Sequence, residues 1–226
     1  MKHICIYCTT EKNEEEFNRE HVVPRMMGRY NDAPVLGNYQ VCKECNTFFS
    51  QNLEAEIGID SYEALLRMKS GTKRLGRGTK LKSNRLSIVC QKGIFKGLHF
   101  TPVANPDILD GVSYEIEPCI GIKISNNEYE YYSIEALPMA TTEIIQRLKE
   151  FEKPIIEFGY KKEKVEFILR EKGYIGESYT YTESDFIQEF GEKDFPMSIN
   201  VSIDSIMRRI SAKTIFNYIC YNTSAM

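Results

Sequence analysis

Four cysteines in two pairs, Cys5-x-x-Cys8 and Cys42-x-x-Cys45, bracket the step Glu20-His21, and the second pair runs directly into Asn46. Thiolates are soft ligands suited to tetrahedral Zn²⁺, and a two-residue gap lets both sulfurs of a knuckle reach one ion. Two such pairs fill four positions and leave none for a catalytic water. Zn²⁺ held by Cys5, Cys8, Cys42 and Cys45 is therefore expected to be structural, and any chemistry must come from the residues between the pairs. A neutral histidine of ordinary pKa can take a proton from water at physiological pH. A hard cation such as Mg²⁺ prefers oxygen ligands from a carboxylate or amide together with phosphate, and it can neutralise charge developing on a phosphoryl group. Glu20, His21, Asn38 and Asn46 supply that set of groups.

These residues need a scaffold. Residues 17–23 read as an extended segment, with Val22 and Val23 favouring a strand that Pro24 ends. Residues 28–34 form a loop rich in Gly, Asn, Asp and Pro, and a second short strand covers 35–41. From residue 44 the pattern turns helical, with Phe48, Phe49, Leu53 and Ile57 near a 3.6-residue spacing. Strand, loop, strand and helix make a coarse ββα unit. Adjacent strand residues point to opposite faces, so Glu20 and His21 share one site only if the strand bends or ends beside them. Each residue also has a plainer reading. His21 could be a hydrogen-bonded core histidine, Glu20 an exposed carboxylate near Glu14, Glu15 and Glu16, Asn46 a helix cap, and Asn38 a turn residue.

The chain has 226 residues, enough for one large domain or two small ones, and 42% hydrophobic with 27% charged residues is ordinary for a globular protein. The first 60 or so residues are poor in long apolar stretches, and domains of about that size are marginal without a metal or disulfides. The net charge of −3 does not advertise nucleic-acid binding. Residues 67–85, however, carry Arg67, Lys69, Lys73, Arg74, Arg77, Lys80, Lys82 and Arg85 with no acidic residue, interleaved with Gly71, Gly76 and Gly78. This stretch reads as a mobile basic loop, either a solvated linker or an arm that contacts phosphates. No secretory leader precedes Cys5 and no apolar run reaches the ~20 residues of a membrane span, so a reducing cytoplasm and no membrane partner are expected. Cys90, Cys119 and Cys220 then read as buried inert thiols. His3 and His99 have no identifiable partners.

Beyond residue 85 the pattern is one of short strands. Residues 86–90 and 94–100 flank a tight turn at Lys92-Gly93, and residues 112–124 and 128–134 flank Asn126-Asn127. Helices are expected at 61–68, 141–151 and near 184–190, a strand or helix at 164–169, and a strand at 198–203. A long helix from Asp204 to about residue 221 carries an apolar stripe of Ile206, Ile210, Phe216 and Ile219.

Taken together, Cys5-Ile6-Tyr7-Cys8, Phe17-Asn18-Arg19-Glu20-His21-Val22-Val23-Pro24, Met27-Gly28, Asn38 and Val41-Cys42-Lys43-Glu44-Cys45-Asn46 resemble the zinc-knuckle type of HNH endonuclease, a ββα-metal nuclease, over residues 5–55. The resemblance implies His21 as general base, Glu20 and Asn46 as ligands of a catalytic Mg²⁺ or Mn²⁺, and Asn38 as a brace for the loop. It departs at Gly28-Arg29, where the family usually carries Gly-Gly, and at Phe48 and Phe49, where a basic residue is usual. Arg25 and Arg29 are then the expected phosphate contacts, with Lys73, Arg74, Arg77 and Lys80 as the basic arm. The segment Ala212 to Tyr218 is similar to tails of other HNH-containing proteins, without a role attached to any residue in it.

The expected fold class is α+β: an N-terminal zinc-stabilised ββα-metal module over 1–58, a helix and basic linker over 59–85, and a mixed α+β domain of short strands and a few helices over 86–226. The implied activity is metal-dependent hydrolysis of DNA phosphodiester bonds, in restriction, phage defence or a mobile element, with RNA also open as a substrate. The remaining domain would select a target, sense a signal or form a homodimer. The competing reading is a non-catalytic zinc module that binds nucleic acid or a protein partner.

Overall fold

The computed structural model describes residues 1–28, 30–72, 75–151, 154–176 and 196–223. In chain order the elements are β1 (Lys2–Ile4), β2 (Glu11–Asn13), β3 (Phe17–Asn18), β4 (Val41–Cys42), α1 (Lys43–Phe49), a π-helical turn (Ser50–Glu54), α2 (Ala55–Ile57), α3 (Tyr62–Ser70), β5 (Leu86–Cys90), β6 (His99–Ala104), β7 (Val112–Ile116), β8 (Cys119–Ser125), β9 (Glu128–Tyr132), α4 (Thr142–Leu148), β10 (Ile155–Phe158), α5 (Lys162–Glu171), β11 (Met197–Val201) and α6 (Ser205–Thr223). The mixture is α+β. A four-stranded sheet has the order β11-β5-β6-β7. No described helix is long and apolar enough to cross a membrane. Two units emerge: Met1–Leu86 with Pro102–Ser113 and Val201–Met226, and Ser87–Thr101 with Tyr114–Asn200.

In the first unit, β1 and β2 pair antiparallel, His3 opposite Lys12, and the loop between them is the first cysteine knuckle. β3 pairs with β4, Phe17 opposite Cys42. The expected strand over 17–23 is shorter, because regular pairing stops at Asn18. Residues 20–22 instead meet 34–36 irregularly, through Leu36 N–H to Glu20 O (2.9 Å), Val22 N–H to Pro34 O (3.0 Å) and a single His21–Val35 bridge. Pro34 has no N–H to give, so the ladder cannot continue there. α1 starts at Cys42, whose sulfur accepts from Cys45 N–H, and α3 at Ser61, whose hydroxyl accepts from Ala64 N–H. α3 ends at Gly71, whose φ of 65° is the left-handed conformation that glycine adopts without strain.

α6 belongs to this first unit. Asp204 caps it through Met207 N–H (2.9 Å) and also accepts from Arg85 Nε (2.8 Å). Arg85 in turn pairs with fully buried Asp60. Met207 and Ile210 pack with Met26, Leu53 and Ile57. The expected apolar stripe is only partly the docked face. Met207, Ile210, Lys213 and Asn217 are the buried positions, whereas Phe216 and Ile219 are exposed.

The basic stretch is also not a free loop along its whole length. Arg67 sits in α3, buried, and donates to Gly58 O (2.8 Å). Arg85 is in the network just described. Arg77 pairs with Asp107, Lys82 with Glu56 at 3.4 Å, and Lys80 bridges Val103 in an isolated pairing. The acidic partners come from elsewhere in the chain, which a local charge count does not see.

In the second unit, β8 lies between β9 and β10, both antiparallel to it. Asn126-Asn127 forms the expected two-residue turn, after which Glu128 pairs back to Ser125. Residues 162–171 are helical, since Val165 and Leu169, one turn apart, are both buried against Ile120, Ile122 and Leu148. Gly121 has no room for a side chain: a Cβ there would stand 2.8 Å from both Ile156 and Tyr131. Phe95 is buried in a single 3₁₀ turn, Gly93–Phe95, so β6 begins later than the sequence indicates. The helix expected near 184–190 lies outside the described residues.

Candidate active site

The four knuckle sulfurs, those of Cys5, Cys8, Cys42 and Cys45, all lie within 4.8 Å of one another, with Cys8 and Cys42 at 3.9 Å. A tetrahedron with metal–sulfur bonds of about 2.3 Å has edges of about 3.8 Å, so the sulfurs fit a single Zn²⁺. Backbone amides turn toward them: Cys42 N–H to Cys5 Sγ (3.4 Å) and Cys45 N–H to Cys42 Sγ (3.5 Å). The Thr10 hydroxyl and amide hold the exposed Cys8 thiol down, at about 6, while burial pushes Cys42 and Cys45 up. Thiols this close resist ionising together, and a cation reverses that preference.

Because β3 stops two residues short of Glu20, strand alternation does not separate Glu20 from His21. Both line one cavity of about 340 Å³, together with Arg19, Pro24, Arg25, Asn46, Ser50 and Glu54. Asn46 does not cap its helix. Its Nδ2 donates to Asn18 Oδ1 (2.9 Å) and Arg19 O (3.1 Å), tying the start of α1 to the segment that carries Glu20. Ser50 and Glu54 follow Asn46 at successive turns, and the π-helical turn closes with Ala55 N–H to Ser50 O. Such turns inside α-helices recur at functional sites.

Glu20 is 5% exposed, which removes the plainer reading of a solvated carboxylate. Lys213 Nζ donates to its Oε1, and Asn217 Nδ2 donates to the same oxygen at 3.1 Å. Burial pushes the Glu20 carboxyl up, and the Lys213 ammonium and Asn217 amide act against that push. Lys213 also donates to Glu54 Oε1 (2.6 Å) and stands 5.3 Å above the Phe49 ring. Asn217 donates to His21 O (3.1 Å) and accepts from the Tyr7 hydroxyl. Burial, with Arg25 and Arg19 nearby, lowers the His21 pKa below its ordinary value. Nδ1 of His21 is buried and meets no donor or acceptor among the described residues.

The donor set fits a hard divalent cation such as Mg²⁺ or Mn²⁺, since Glu20, Glu54 and Asn46 bring oxygen-bearing side chains to one cavity and Mg²⁺ characteristically takes one or two carboxylates with water and phosphate. Among the described residues, only the four cysteines form a tight cluster of three or more metal-ligating groups of the His, Cys, Asp and Glu types.

The structure brings Glu20, His21, Asn46 and Arg25 together. Asn38 stands in an exposed turn and lines a different hollow with Phe17, Asn18, Arg19, Gly37 and Tyr39. Arg77 and Lys80 do not line the cavity of His21, and Arg29, Lys73 and Arg74 lie outside the described residues. His3, without an identified partner in sequence, meets Glu14 and stacks on Tyr39, and His99 meets Ser87. Sequence reasoning missed Arg19, Ser50, Glu54, Lys213, Asn217 and Tyr7. The spacing of Asn46, Ser50 and Glu54 was a readable signal, since residues four apart share a helix face. No curated protein and no solved structure matches the chain. Its residues 5–60, however, match the family model described as HNH endonuclease, and this N-terminal domain points to a nuclease or nucleic-acid-related function.

Proposed function

We propose that the protein is a metal-dependent endonuclease that hydrolyses DNA phosphodiester bonds, with His21 as general base. The observation that carries this reading is the cavity in which His21, Glu20 and Asn46 meet between Arg19 and Arg25, within the residues that match the HNH model. A phosphate entering the cavity meets two exposed guanidinium groups, which hold it electrostatically and independently of base sequence. His21, kept neutral by burial and by those same arginines, takes a proton from the attacking water. The water oxygen bonds to phosphorus as the bond to the 3′ oxygen breaks, and the 3′ oxygen takes a proton from solvent, leaving a 3′-hydroxyl and a 5′-phosphate. Mg²⁺ or Mn²⁺ bound by Glu20 and Asn46 would neutralise charge on the phosphate and the leaving oxygen. Asn46 also ties α1 to the Arg19 carbonyl, which keeps its side chain beside Glu20.

Plasmid nicking with and without Mg²⁺ or Mn²⁺, comparing wild type with zinc-loaded, folded His21→Ala, tests this. Metal-dependent nicking that falls about 10²- to 10⁴-fold in the variant is expected. Silence from both proteins, with DNA binding retained, would turn the reading to the non-catalytic module. The existing pairing of Glu20 with Lys213 is the observation that favours that alternative.

A further inference from the structure

The docked face of α6 changes chemistry along its length. Met207 and Ile210 pack with Met26, Leu53 and Ile57, and the next buried positions on that face are Lys213 and Asn217. A helix that needed only to be held down would continue in aliphatic residues, because a buried ammonium costs free energy unless it is paired and hydrogen-bonded. The partners that compensate are specific. Lys213 Nζ reaches Glu20 and Glu54, while Asn217 Nδ2 bridges the Glu20 carboxylate and the His21 carbonyl, each at 3.1 Å. All three recipients line the cavity, and neither Lys213 nor Asn217 does. The Tyr7 hydroxyl, donating to Asn217 Oδ1, fixes which way that amide faces.

We propose that Lys213 and Asn217 are positioning residues of the nuclease site, Lys213 fixing the Glu20 and Glu54 carboxylates relative to each other and Asn217 clipping Glu20 to the backbone of His21. This rests on the nuclease reading above. The two residues reach no reacting atom; they act through Glu20, Glu54 and His21. A displacement of about 1 Å in such groups costs on the order of 10²-fold in rate. The site of an N-terminal nuclease module is thus completed by a helix from the other end of the sequence.

The test is plasmid nicking in Mn²⁺ by the full-length, zinc-loaded protein, with kcat and KM determined separately for wild type, Lys213→Met, Lys213→Arg and Asn217→Ser. Serine at 217 is too short to reach both recipients and removes no charge. The expected result is a kcat lower by about 10- to 100-fold in Lys213→Met and Asn217→Ser. KM, zinc content and circular dichroism stay unchanged, and kcat recovers partly in Lys213→Arg. If Lys213→Met fails to fold, Asn217→Ser decides by the same split. Wild-type kcat in the folded variants, or a change confined to KM, overturns the proposal and leaves the nuclease reading standing. A wild type that does not nick overturns both.

Discussion

Two charge clusters hold the Glu20-His21 segment, and they solve opposite problems. At the knuckles four thiols within 4.8 Å repel one another once ionised, and only an ion from outside the chain can draw them together. At α6 the cation is a side chain, Lys213, and its two carboxylates come from residues 20 and 54. Holding zinc, the first cluster would make folding depend on metal supply. The second makes the geometry of the site depend on the docking of a helix distant in sequence. A motif can be read from one stretch of chain while the side chains that surround it are assembled from several.

The comparison breaks most visibly at the cysteines. Cys42→Ser removes one sulfur while leaving a hydroxyl that can still cap α1, so the change falls on the metal site. Structural zinc sites contribute about 10–16 kcal/mol of apparent binding free energy to the folding of comparable small modules. Zinc should fall from about one per chain to near zero by elemental analysis, and limited proteolysis should cut within residues 1–58. A metal-free variant that resists the protease would mean that the sulfurs do not carry the module.

The α6 cluster should yield a smaller effect of a different form. Lys213→Met takes the cation from two buried or half-buried carboxylates, leaving Glu20 only its Asn217 hydrogen bond among the described residues, and should cost about 3–5 kcal/mol in urea unfolding. Adding Glu54→Gln replaces one of those charges with a neutral amide and should recover part of the loss. A double variant no more stable than Lys213→Met would mean that Lys213 and Glu54 are neighbours without coupling.

What the sequence disclosed follows from the same contrast. Cys-x-x-Cys spacing, Glu20-His21 and the helix after Cys45 are local patterns, and the structure places Glu20, His21 and Asn46 about one cavity. Lys213 and Asn217 were not legible as site residues. On a helix with Ile206, Ile210, Phe216 and Ile219, an apolar stripe is the natural inference, and nothing local reveals that the polar positions face inward. Arg67 and Arg85 failed in the reverse direction. They counted as part of an acid-free basic stretch, yet Arg85 is neutralised by Asp60 and Asp204 and Arg67 is spent on the Gly58 carbonyl. Asp60 and Asp204 lie outside that stretch, so a window of charges could not register them.

The smallest expected effect separates the electrostatics of the cavity from its architecture. Burial, Arg25 and Arg19 all lower the His21 pKa, so the imidazole stays neutral to a lower pH than a free histidine would. A general base works in its neutral form, so nicking should rise as pH climbs through the folded-state pKa and level off above it. The acid limb of kcat then has its midpoint below about 6.5. The same shift has a stability consequence of matching sign. Between the folded and the unfolded pKa the unfolded chain binds a proton that the folded one refuses, so this contribution is present above about 6.5 and is lost as pH falls toward the folded value. Arg25→Ala removes one positive neighbour while leaving both clusters intact. It should move the acid limb upward, weaken DNA binding modestly and flatten its dependence on salt. A midpoint at or above 6.5 in the wild type, or one that does not respond to Arg25→Ala, would separate the rate-limiting proton from His21 and reassign it to another group in the cavity.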